Sequence, residues 1–347
     1  MGLSISDIIP KREIDLQELK DKVICVDAYN TLYQFLTTIR QPDGTPLKDK
    51  NENVTSHLSG IFYRNANLLI QGLKLIYVFD GEAPDLKSKT HQKRSENKEA
   101  AKERYEEAKQ AEDFEKMKTY SGQLTSLDSE TLKESKELLD AMGIPVVQAP
   151  SEGESQAAYM CRHDNEIYAC GSQDYDSLLF GATRVVRNLT LSRKKKTFSG
   201  YVEIHPEVVD LDKVLNALEI NRDQLICLGI LVGTDYNPKG VPGIGQKKAL
   251  EIVRRKKYPV RIFEEVEDKM MNLAEEYQFN WQDIFELFHK PQVDKDFDYK
   301  FKSPNEEKIK EILVDRHDFS EDRVQKKIDA LKKAREQQGQ KSLNKWF

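Results

Sequence analysis

Seven acidic residues lie in short motifs that a strand end or a turn, rather than a helix face, would present. They are Asp27, Asp80, Glu152, Glu154, Asp174, Asp176 and Asp235. Two pairs among them have i, i+2 spacing, 152 with 154 and 174 with 176, so both members point the same way in extended chain. Like charges held together are unstable unless a cation neutralises them. Mg²⁺ is a natural neutraliser, because it combines a few carboxylates with waters and phosphates.

Two such ions about 4 Å apart form a clamp that supports in-line cleavage of a phosphodiester. Each acid taken alone also has an ordinary structural explanation. Asp27 or Asp80 would cap the helix after its strand. Ser151 to Glu154 have the sequence of a capping box, and the 174/176 pair suits a turn. The metal interpretation therefore depends on the set, whose seven charges exceed the net charge of −5 for the whole chain.

A phosphatase chemistry is a competing interpretation of the first strand. Phosphatases of the haloacid dehalogenase type resemble this start, with an apolar strand leading into D-x-D. The position two residues after Asp27 is Tyr29. Because the general-acid carboxylate is missing, an aspartyl-phosphate mechanism is disfavoured.

Positive charge is concentrated in three segments, although 54 Lys and Arg face 59 Asp and Glu overall. The segments are 87–94, 193–196 and 247–257. Lys87 and Arg94 are nearly two helical turns apart, so they share a face if their segment is helical. Above a carboxylate–metal centre they would hold the scissile phosphate and offset developing charge. Taken singly, each basic segment also suits a solvated helix face.

A glycine-rich hairpin follows the helical run 224–233. Residues 240–248 read GVPGIGQKK, in which Gly243 and Gly245 permit a tight turn just before a new helix. Backbone N–H groups at such a helix start bind phosphate without reading bases. An ordinary helix–helix turn needs only one glycine. The second glycine, together with Lys247 and Lys248, therefore favours a contact with the DNA backbone.

Strands and helices alternate along the part of the chain that carries the acids. Strands are predicted at 23–27, 74–80, 144–147, 167–171 and 184–191, with helices such as 54–72 and 130–142 between them. This alternation predicts an α/β fold with a mostly parallel central sheet flanked by helices. Ligands gather beyond the carboxyl ends of such strands, where Asp27 and Asp80 lie. Residues 85–120 are polar and indicate an inserted helical element, and the chain turns helical beyond about 210.

Composition argues against secretion and against a membrane span. The 347-residue chain has no apolar run near the roughly 18 residues that a span needs, and its start lacks the apolar core of a signal peptide. The four cysteines show no C-x-x-C spacing, and the six histidines show no ligand spacing. We therefore expect no zinc site and a reducing, intracellular environment.

These motifs resemble the flap endonuclease family of structure-specific 5′ nucleases, from Gly2 to Phe347. The most specific matches are VDAYNTLYQFL (26–36), YVFDGEAPDLK (77–87), QAPSEGESQAAY (148–159), GSQDYDSLLFG (171–181), GTDYNPKGVPGIGQKKA (233–249) and the terminal QKSLNKWF. The resemblance implies that all seven acids hold two Mg²⁺ ions. It implies further that Lys87 and Arg94 are the catalytic basic pair at the foot of a helical arch. Tyr33 looks like the aromatic residue that stacks on the substrate near the cleavage site.

The resemblance also extends to the hairpin and to the last eight residues. Gly243, Gly245, Lys247 and Lys248 look like the helix–hairpin–helix duplex contact, which in this family can hold K⁺. The chain ends in what looks like a sliding-clamp-binding box, formed by Gln340, Leu343, Trp346 and Phe347. An aliphatic and two aromatic side chains on one turn of a short helix would fill a pocket on the partner. Eukaryotic relatives continue past this box with a basic extension, whereas this sequence stops at Phe347, as archaeal forms do.

The expected organisation is one nuclease domain over 1–332. It comprises an N-terminal part (1–84), the helical arch (about 85–120), an internal part (121–260) that contains the helix–hairpin–helix at 223–257, and a C-terminal helical part (261–332). A flexible tail (333–347) carries the clamp box (340–347). The resemblance implies a protein that is monomeric on its own and cytoplasmic, nucleoid-associated in a prokaryote.

The expected reaction is Mg²⁺-dependent hydrolysis of a phosphodiester where a 5′ single-stranded flap meets duplex DNA, in replication and repair. Contacts to phosphates and to shape imply little sequence reading. Two alternatives stay open. One is a 5′ exonuclease or gap nuclease of the same superfamily, and a 5′-3′ exonuclease activity could also accompany the flap activity. The other is a non-catalytic DNA-binding adaptor that reaches the clamp through its tail, which would leave seven acids facing a polyanion.

Overall fold

A computed structural model describes most of the chain. It covers residues 3–41, 44–82, 84, 99–101, 103–105, 107, 127–191, 194–197 and 200–343, with the backbone alone at 194–197, 201, 276 and 338–343. Four of the residues singled out above lie outside this part: Lys87, Arg94, Trp346 and Phe347. Among the described helices, none is both long and apolar enough to cross a membrane.

The described residues form a seven-stranded sheet and a separate two-stranded hairpin. In chain order the strands are Arg12–Glu13 (β1), Val23–Asp27 (β2), Lys74–Phe79 (β3), Val146–Gln148 (β4), Ile167–Gly171 (β5), Arg184–Arg187 (β6), Lys194–Thr197 (β7), Gly200–Glu203 (β8) and Glu207–Asp210 (β9). The sheet order is β1-β9-β6-β5-β2-β3-β4, and β7 pairs with β8. Strands β2 to β6 run parallel to one another, whereas β9 is antiparallel to both β6 and β1. The prediction of an α/β fold with a mostly parallel sheet is confirmed.

Strands β2 and β3 are buried on both faces. Every residue of β2 is buried, and β3 is buried from its second residue onward. Cys25 and Ile76 point into one hydrophobic core, and Ile24 and Leu75 point into another on the opposite face. This is why these strands read as continuous apolar runs without alternation.

Helices cover both faces of the sheet and extend beyond it. They are Ala28–Thr38 (α1), Ser56–Ser59 (α2), Asn65–Ile70 (α3), Ser129–Ala141 (α4), Gly153–His163 (α5), Asp176–Leu179 (α6), Leu211–Leu218 (α7), Arg222–Val232 (α8), Gln246–Lys256 (α9), Pro259–Glu264 (α10), Glu267–Met271 (α11), Trp281–His289 (α12), Glu306–Lys310 (α13) and Glu321–Leu343 (α14). A π turn, Gly60–Arg64, joins α2 to α3, so the predicted helix 54–72 is interrupted.

Besides the π turn, three elements differ from the sequence prediction. Strand β6 ends at Arg187 instead of residue 191, because Asn188 has φ +60° and turns the chain. The fourth strand is shifted by about two residues, to Val146–Gln148. Helix α14 continues to Leu343, through the first part of the segment predicted as a flexible tail, which is rich in good helix formers. Of the arch at 85–120, the described residues are helical at 99–101, 103–105 and 107.

The C-terminal part of the chain returns to brace the turn that leads into β4. Lys302 N–H donates to the Gly143 carbonyl (3.2 Å), and Asn305 N–H donates to the Ala141 carbonyl (2.7 Å). Farther along, both ring nitrogens of His317 lie within hydrogen-bond distance of carboxylates, the buried Asp49 at 2.9 Å and the half-buried Glu134 at 2.8 Å. These contacts join the C-terminal part of the chain to the segment around Asp49 and to α4, the helix that precedes β4.

We predict that Gly143→Ala lowers the free energy of unfolding by about 1–3 kcal/mol. Gly143 has φ +74°, and a Cβ there would lie 2.2 Å from the Lys302 carbonyl oxygen. Urea denaturation measures the effect. Lys302→Ala is the matched control, because it truncates an exposed side chain and keeps the carbonyl that the new Cβ would meet. Equal stability of the two variants would contradict the proposed close approach.

Candidate active site

Six of the seven acids lie at the edge of the sheet where the parallel strands end. Asp27 is the last residue of β2, and Asp80 directly follows β3. Glu152 is the N-cap residue of α5, the helix after β4, and Glu154 lies in its first turn. The second pair follows β5, with Asp176 as the first residue of α6. Because parallel strands end at a common edge, these acids of distant sequence position converge.

The seventh acid, Asp235, comes from the loop after α8. The buried Asn237 side chain fixes this loop by accepting from Thr234 N–H (3.1 Å) and Thr234 Oγ1 (2.7 Å) and by donating to the Ile230 carbonyl (2.7 Å). Val241 N–H donates to the Leu231 carbonyl at 2.9 Å. The loop that carries Asp235 is therefore held firmly on the end of α8.

Electrostatic coupling shows that the seven acids form one group, hereafter the acid cluster. Asp27 and Glu152 are each 8% exposed. Burial raises the pKa of Asp27 well above its usual range, and three neighbouring carboxylates add to this shift: Asp80, Glu154 and Asp174. Burial, together with four neighbouring carboxylates, raises the pKa of Glu152 to about 9; the four are Glu154, Asp80, Asp176 and Asp235. Between them, these two acids interact with all the others.

Hydrogen bonds orient the carboxylates and decide between the alternative explanations. Asp27 does cap α1, by accepting from Asn30 N–H at 3.1 Å, so its cap and its place in the cluster coexist. Asp80 accepts from Gly153 N–H at 2.6 Å and thereby caps α5 instead of a helix after its own strand. The capping-box explanation of Glu154 is wrong, because the N-cap of α5 is Glu152 and makes no side-chain cap bond.

Glu154 is instead held by the segment after β5. Its Oε1 accepts from Ser177 N–H (3.0 Å), from Ser177 Oγ (2.5 Å) and from Ser172 Oγ (3.3 Å). These bonds join α5 to the segment that carries Asp174 and Asp176. The two i, i+2 pairs are therefore linked directly to each other.

Two residues that the sequence reading did not single out also hold the acids. Tyr236 OH donates a short hydrogen bond to Glu152 Oε2, and its buried ring packs edge-on against Phe288. Asn30 Nδ2 donates to Asp174 Oδ2 at 2.8 Å. Both residues lie within three positions of a predicted acid, Tyr236 beside Asp235 and Asn30 after Asp27. That proximity is the signal that could have found them.

The acid cluster fits divalent metal ions. Its donors are all carboxylate oxygens, the ligands that Mg²⁺ prefers. Burial and neighbouring carboxylates raise the pKa values of Asp27 and Glu152, so a positive charge here would favour their ionised forms. Within the described ranges, no three acidic, histidine or cysteine side chains are arranged as a ready-made metal cage. Mg²⁺ does not require one, because it keeps several waters and adds substrate phosphates to one or two protein carboxylates.

The glycine hairpin is built as an open helix start. Gly243 has φ +71°, which favours glycine, and Gly245 is the N-cap of α9. A Cβ at Gly245 would meet no atom within 4 Å, so the backbone at Gly245 is open to close approach, while Ile244 N–H donates to the Val241 carbonyl at 3.1 Å. Lys247 and Lys248 lie in the first turn of α9, which contains no acidic residue. Only ten positions separate Asp235 from Gly245, so one short segment supplies both an acid and the hairpin.

Other predicted contacts are partly described. Tyr33 lies on α1 and is 44% exposed, so its ring is available for stacking. Lys269 adds an unpredicted cation beside the hairpin, with Nζ 3.4 Å from the Pro242 carbonyl oxygen. Gln340 and Leu343 lie on α14, where only the backbone is described. The remaining predicted residues, Lys87 and Arg94 and the terminal aromatic pair, fall outside the described part.

Comparison with known proteins agrees with this geometry. Family models described as the XPG N-terminal domain and the XPG I-region match residues 3–101 and 143–235. Flap endonuclease 1 of Pyrococcus furiosus is 48% identical over 100% of this chain and 99% of its own length. The solved flap endonuclease-1 of Methanococcus jannaschii is 40% identical with a TM-score of 0.75, covering 96% of this chain and 98% of its own.

A more distant solved structure shares the fold. The catalytic core of Rad2, solved in complex with DNA substrate, aligns with a TM-score of 0.69 at 23% identity, over 95% of this chain and 100% of that one. The XPG I-region match ends at Asp235 and so spans the last five acids, while the XPG N-terminal match contains the first two. On the strength of these matches over its whole length, the chain belongs to the flap endonuclease family in its archaeal form.

Proposed function

We propose that this structure-specific flap nuclease hydrolyses the phosphodiester at the junction of a 5′ flap with duplex DNA, using two Mg²⁺ ions held by the acid cluster. The observation that carries the proposal is the convergence of seven carboxylates from five separate segments, where burial and the neighbouring acids together raise the pKa values of Asp27 and Glu152. A cluster of this charge would repel the phosphates of DNA unless bound cations neutralised it. A non-catalytic adaptor would have no use for it.

The chain's own residues would divide the work as follows. The ions, when bound, supply Lewis acidity and charge neutralisation at the scissile phosphate. Asp27, Asp80, Asp235 and the two acid pairs would hold them, and Tyr236 and Asn30 keep two of these carboxylates in position. We assign to Lys87 and Arg94 the capture of the phosphate, and to Tyr33 stacking on a base beside it.

The hairpin would position the duplex rather than read it. Its open backbone at Gly245 and two lysines suit phosphate oxygens, which carry no sequence information. We propose that this hairpin would also hold K⁺, which would supply positive charge toward a DNA phosphate. Cleavage specificity then follows from the fixed distance between this phosphate contact and the acid cluster.

The proposal is tested on a denaturing gel with a labelled 5′-flap duplex, with and without Mg²⁺, beside single-stranded and blunt-duplex controls. One discrete Mg²⁺-dependent product at the junction is expected. A ladder from the 5′ end would assign 5′-3′ exonuclease activity to the same metal site. Binding without cleavage would overturn the proposed reaction.

We predict that Asp176→Asn lowers the single-turnover cleavage rate on the order of a thousandfold, or about 4 kcal/mol of transition-state stabilisation. The substitution keeps the shape of the side chain and removes one charge of the cluster. Flap affinity, measured by fluorescence anisotropy in EDTA, should be retained. Asp212→Asn, at an exposed acid of α7, is the control. Full activity of a folded Asp176→Asn protein would end the metal assignment.

We predict that the double substitution Lys247→Ala/Lys248→Ala weakens flap binding and lowers the slope of log affinity against log salt by about two. Each lysine would neutralise about one phosphate and release its counterion. Anisotropy titrations at several KCl concentrations measure the slope. Lys256→Ala is the control, because this lysine lies at the other end of α9, with Nζ 3.3 Å from Glu265. An equal change in the control would refute a specific hairpin contact.

We also propose that the terminal box, Gln340 to Phe347, binds a sliding clamp. Deletion of residues 340–347 should leave cleavage of free flap DNA unchanged and should remove stimulation by the clamp. The test compares cleavage rates with and without clamp for the full chain and the truncated chain. Loss of intrinsic cleavage as well would show that the tail serves the fold rather than a partner.

A further inference from the structure

The segment after β5 has two opposite sides that serve different neighbours. Residues 172–176, hereafter the acid loop, place their even-numbered side chains toward the acid cluster. Ser172 Oγ donates to Glu154 (3.3 Å), and Asp174 accepts from Asn30 (2.8 Å). Of the odd-numbered residues, Tyr175 is 3% exposed and packs in the hydrophobic core, and Gln173 is held through its main-chain carbonyl. Whatever holds the odd residues therefore sets the direction of the even ones.

One guanidinium holds both odd-numbered residues. Arg187, the last residue of β6, donates from Nε to the Gln173 carbonyl (3.0 Å) and from one terminal nitrogen to Tyr175 OH (2.7 Å). The same guanidinium lies 4.4 Å from the centroid of the Tyr175 ring. These three contacts, to Gln173 and Tyr175, together fix the position and the orientation of the acid loop.

The guanidinium is itself anchored in the sheet. Arg187 pairs across the strands with Glu207 of β9, and its terminal nitrogen lies 2.9 Å from Glu207 Oε2. Lys11 Nζ lies 3.2 Å from the other oxygen of Glu207. The Arg187 and Glu207 side chains are only 19% and 13% exposed. A rigid element, rather than a loop, thus sets the position of Arg187.

We propose that Arg187 is a positioning residue that holds the acid loop so that Asp174 and Asp176 present their carboxylates to the metals. The inference rests on the proposed metal-binding function. It does not require Arg187 to touch DNA or metal. A lysine could not replace the arginine, because one ammonium cannot reach a carbonyl, a hydroxyl and a carboxylate in a planar fork while it stacks on a ring.

The chain offers a matched control on the same strand. Arg184, at the other end of β6, also pairs with an acid of β9, with Nε 3.3 Å from Asp210, and its guanidinium lies 5.0 Å from the Tyr168 ring. It makes the same kinds of ion pair and ring contact, away from the carboxyl ends of the strands. Arg184→Lys and Arg187→Lys therefore remove similar interactions at opposite ends of one strand.

The test measures Mn²⁺ binding to the full-length protein by electron paramagnetic resonance of the free ion, in the absence of DNA. We expect Arg187→Lys to weaken Mn²⁺ binding by about tenfold or more, as loss of a group that orients metal ligands does. The Mg²⁺ concentration for half-maximal cleavage should rise by a similar factor. Flap affinity in EDTA should not change. Arg184→Lys should bind Mn²⁺ like the unmodified chain.

Three outcomes would overturn the inference. Arg187→Lys could bind Mn²⁺ as well as the unmodified chain, the Arg184 control could lose as much affinity, or flap affinity in EDTA could fall while Mn²⁺ binding stays constant. The last result would make Arg187 a DNA contact. If Arg187→Lys does not fold, Tyr175→Phe replaces it, because this change removes only the hydroxyl and should produce a smaller loss in the same direction. Unchanged Mn²⁺ binding by Asp176→Asn would instead refute the metal assignment itself.

Discussion

Electrostatic repulsion among seven carboxylates is the constraint on which the rest of this structure depends. The acids lie at one edge of the sheet, where burial and the neighbouring carboxylates make the ionisation of Asp27 and Glu152 harder. Helix N-termini and hydrogen-bond donors of the protein itself reduce this repulsion, even without a bound cation. Asp27 caps α1, and Glu152 and Glu154 lie at the start of α5, where the partial positive charge of the helix end favours anions. The N–H of Gly153 and the Ser177 pair of donors add hydrogen bonds to the charged forms.

These local devices reduce the repulsion without removing it. If helix ends and hydrogen bonds neutralised the cluster fully, the pKa values of Asp27 and Glu152 would lie near their usual range instead of above it. The remaining repulsion favours the binding of divalent cations, because a bound cation would relieve it. A site of this kind is stable enough to fold and still demands metal, which is what hydrolysis of a polyanion requires.

The acidic edge of the sheet and the glycine hairpin are linked parts of the molecule. A net charge of −5 would ordinarily repel DNA, yet the basic residues are grouped along the sequence in segments that contain none of the seven acids. The hairpin shows how one of these segments is joined to the acids. The loop after α8 carries Asp235 on one side of Asn237 and the open glycine turn on the other, so a single braced segment links the metal-binding edge to the phosphate contact. The distance between the two is therefore a property of the fold.

The sequence by itself determined the chemistry and most of the local elements. Strands that are buried on both faces appear in the sequence as apolar runs, so the predicted bounds of β2 and β5 match the structure to the residue. The position of the acids after them was predictable because ligands gather at the carboxyl ends of parallel strands. The glycine turn was also predictable, because a positive φ such as that of Gly243 favours glycine, which is visible in the sequence. At Asn188 the chain also turns with a positive φ, but the residue is not glycine, so the predicted strand was too long.

Only the tertiary structure decided which residues orient those acids. Strand order places β5 beside β2 and β4 beside β3, so neighbours in space are far apart in the chain. Tyr236 reaches Glu152 across 84 residues, Asn30 reaches Asp174 across 144, and Ser177 turns Glu154 from an expected helix cap into a member of the cluster. Such contacts leave no local pattern, because their spacing is set by the crossovers of the sheet and not by the period of a helix or a strand. The sequence thus determined the charges, and the packing of the sheet determined where they point.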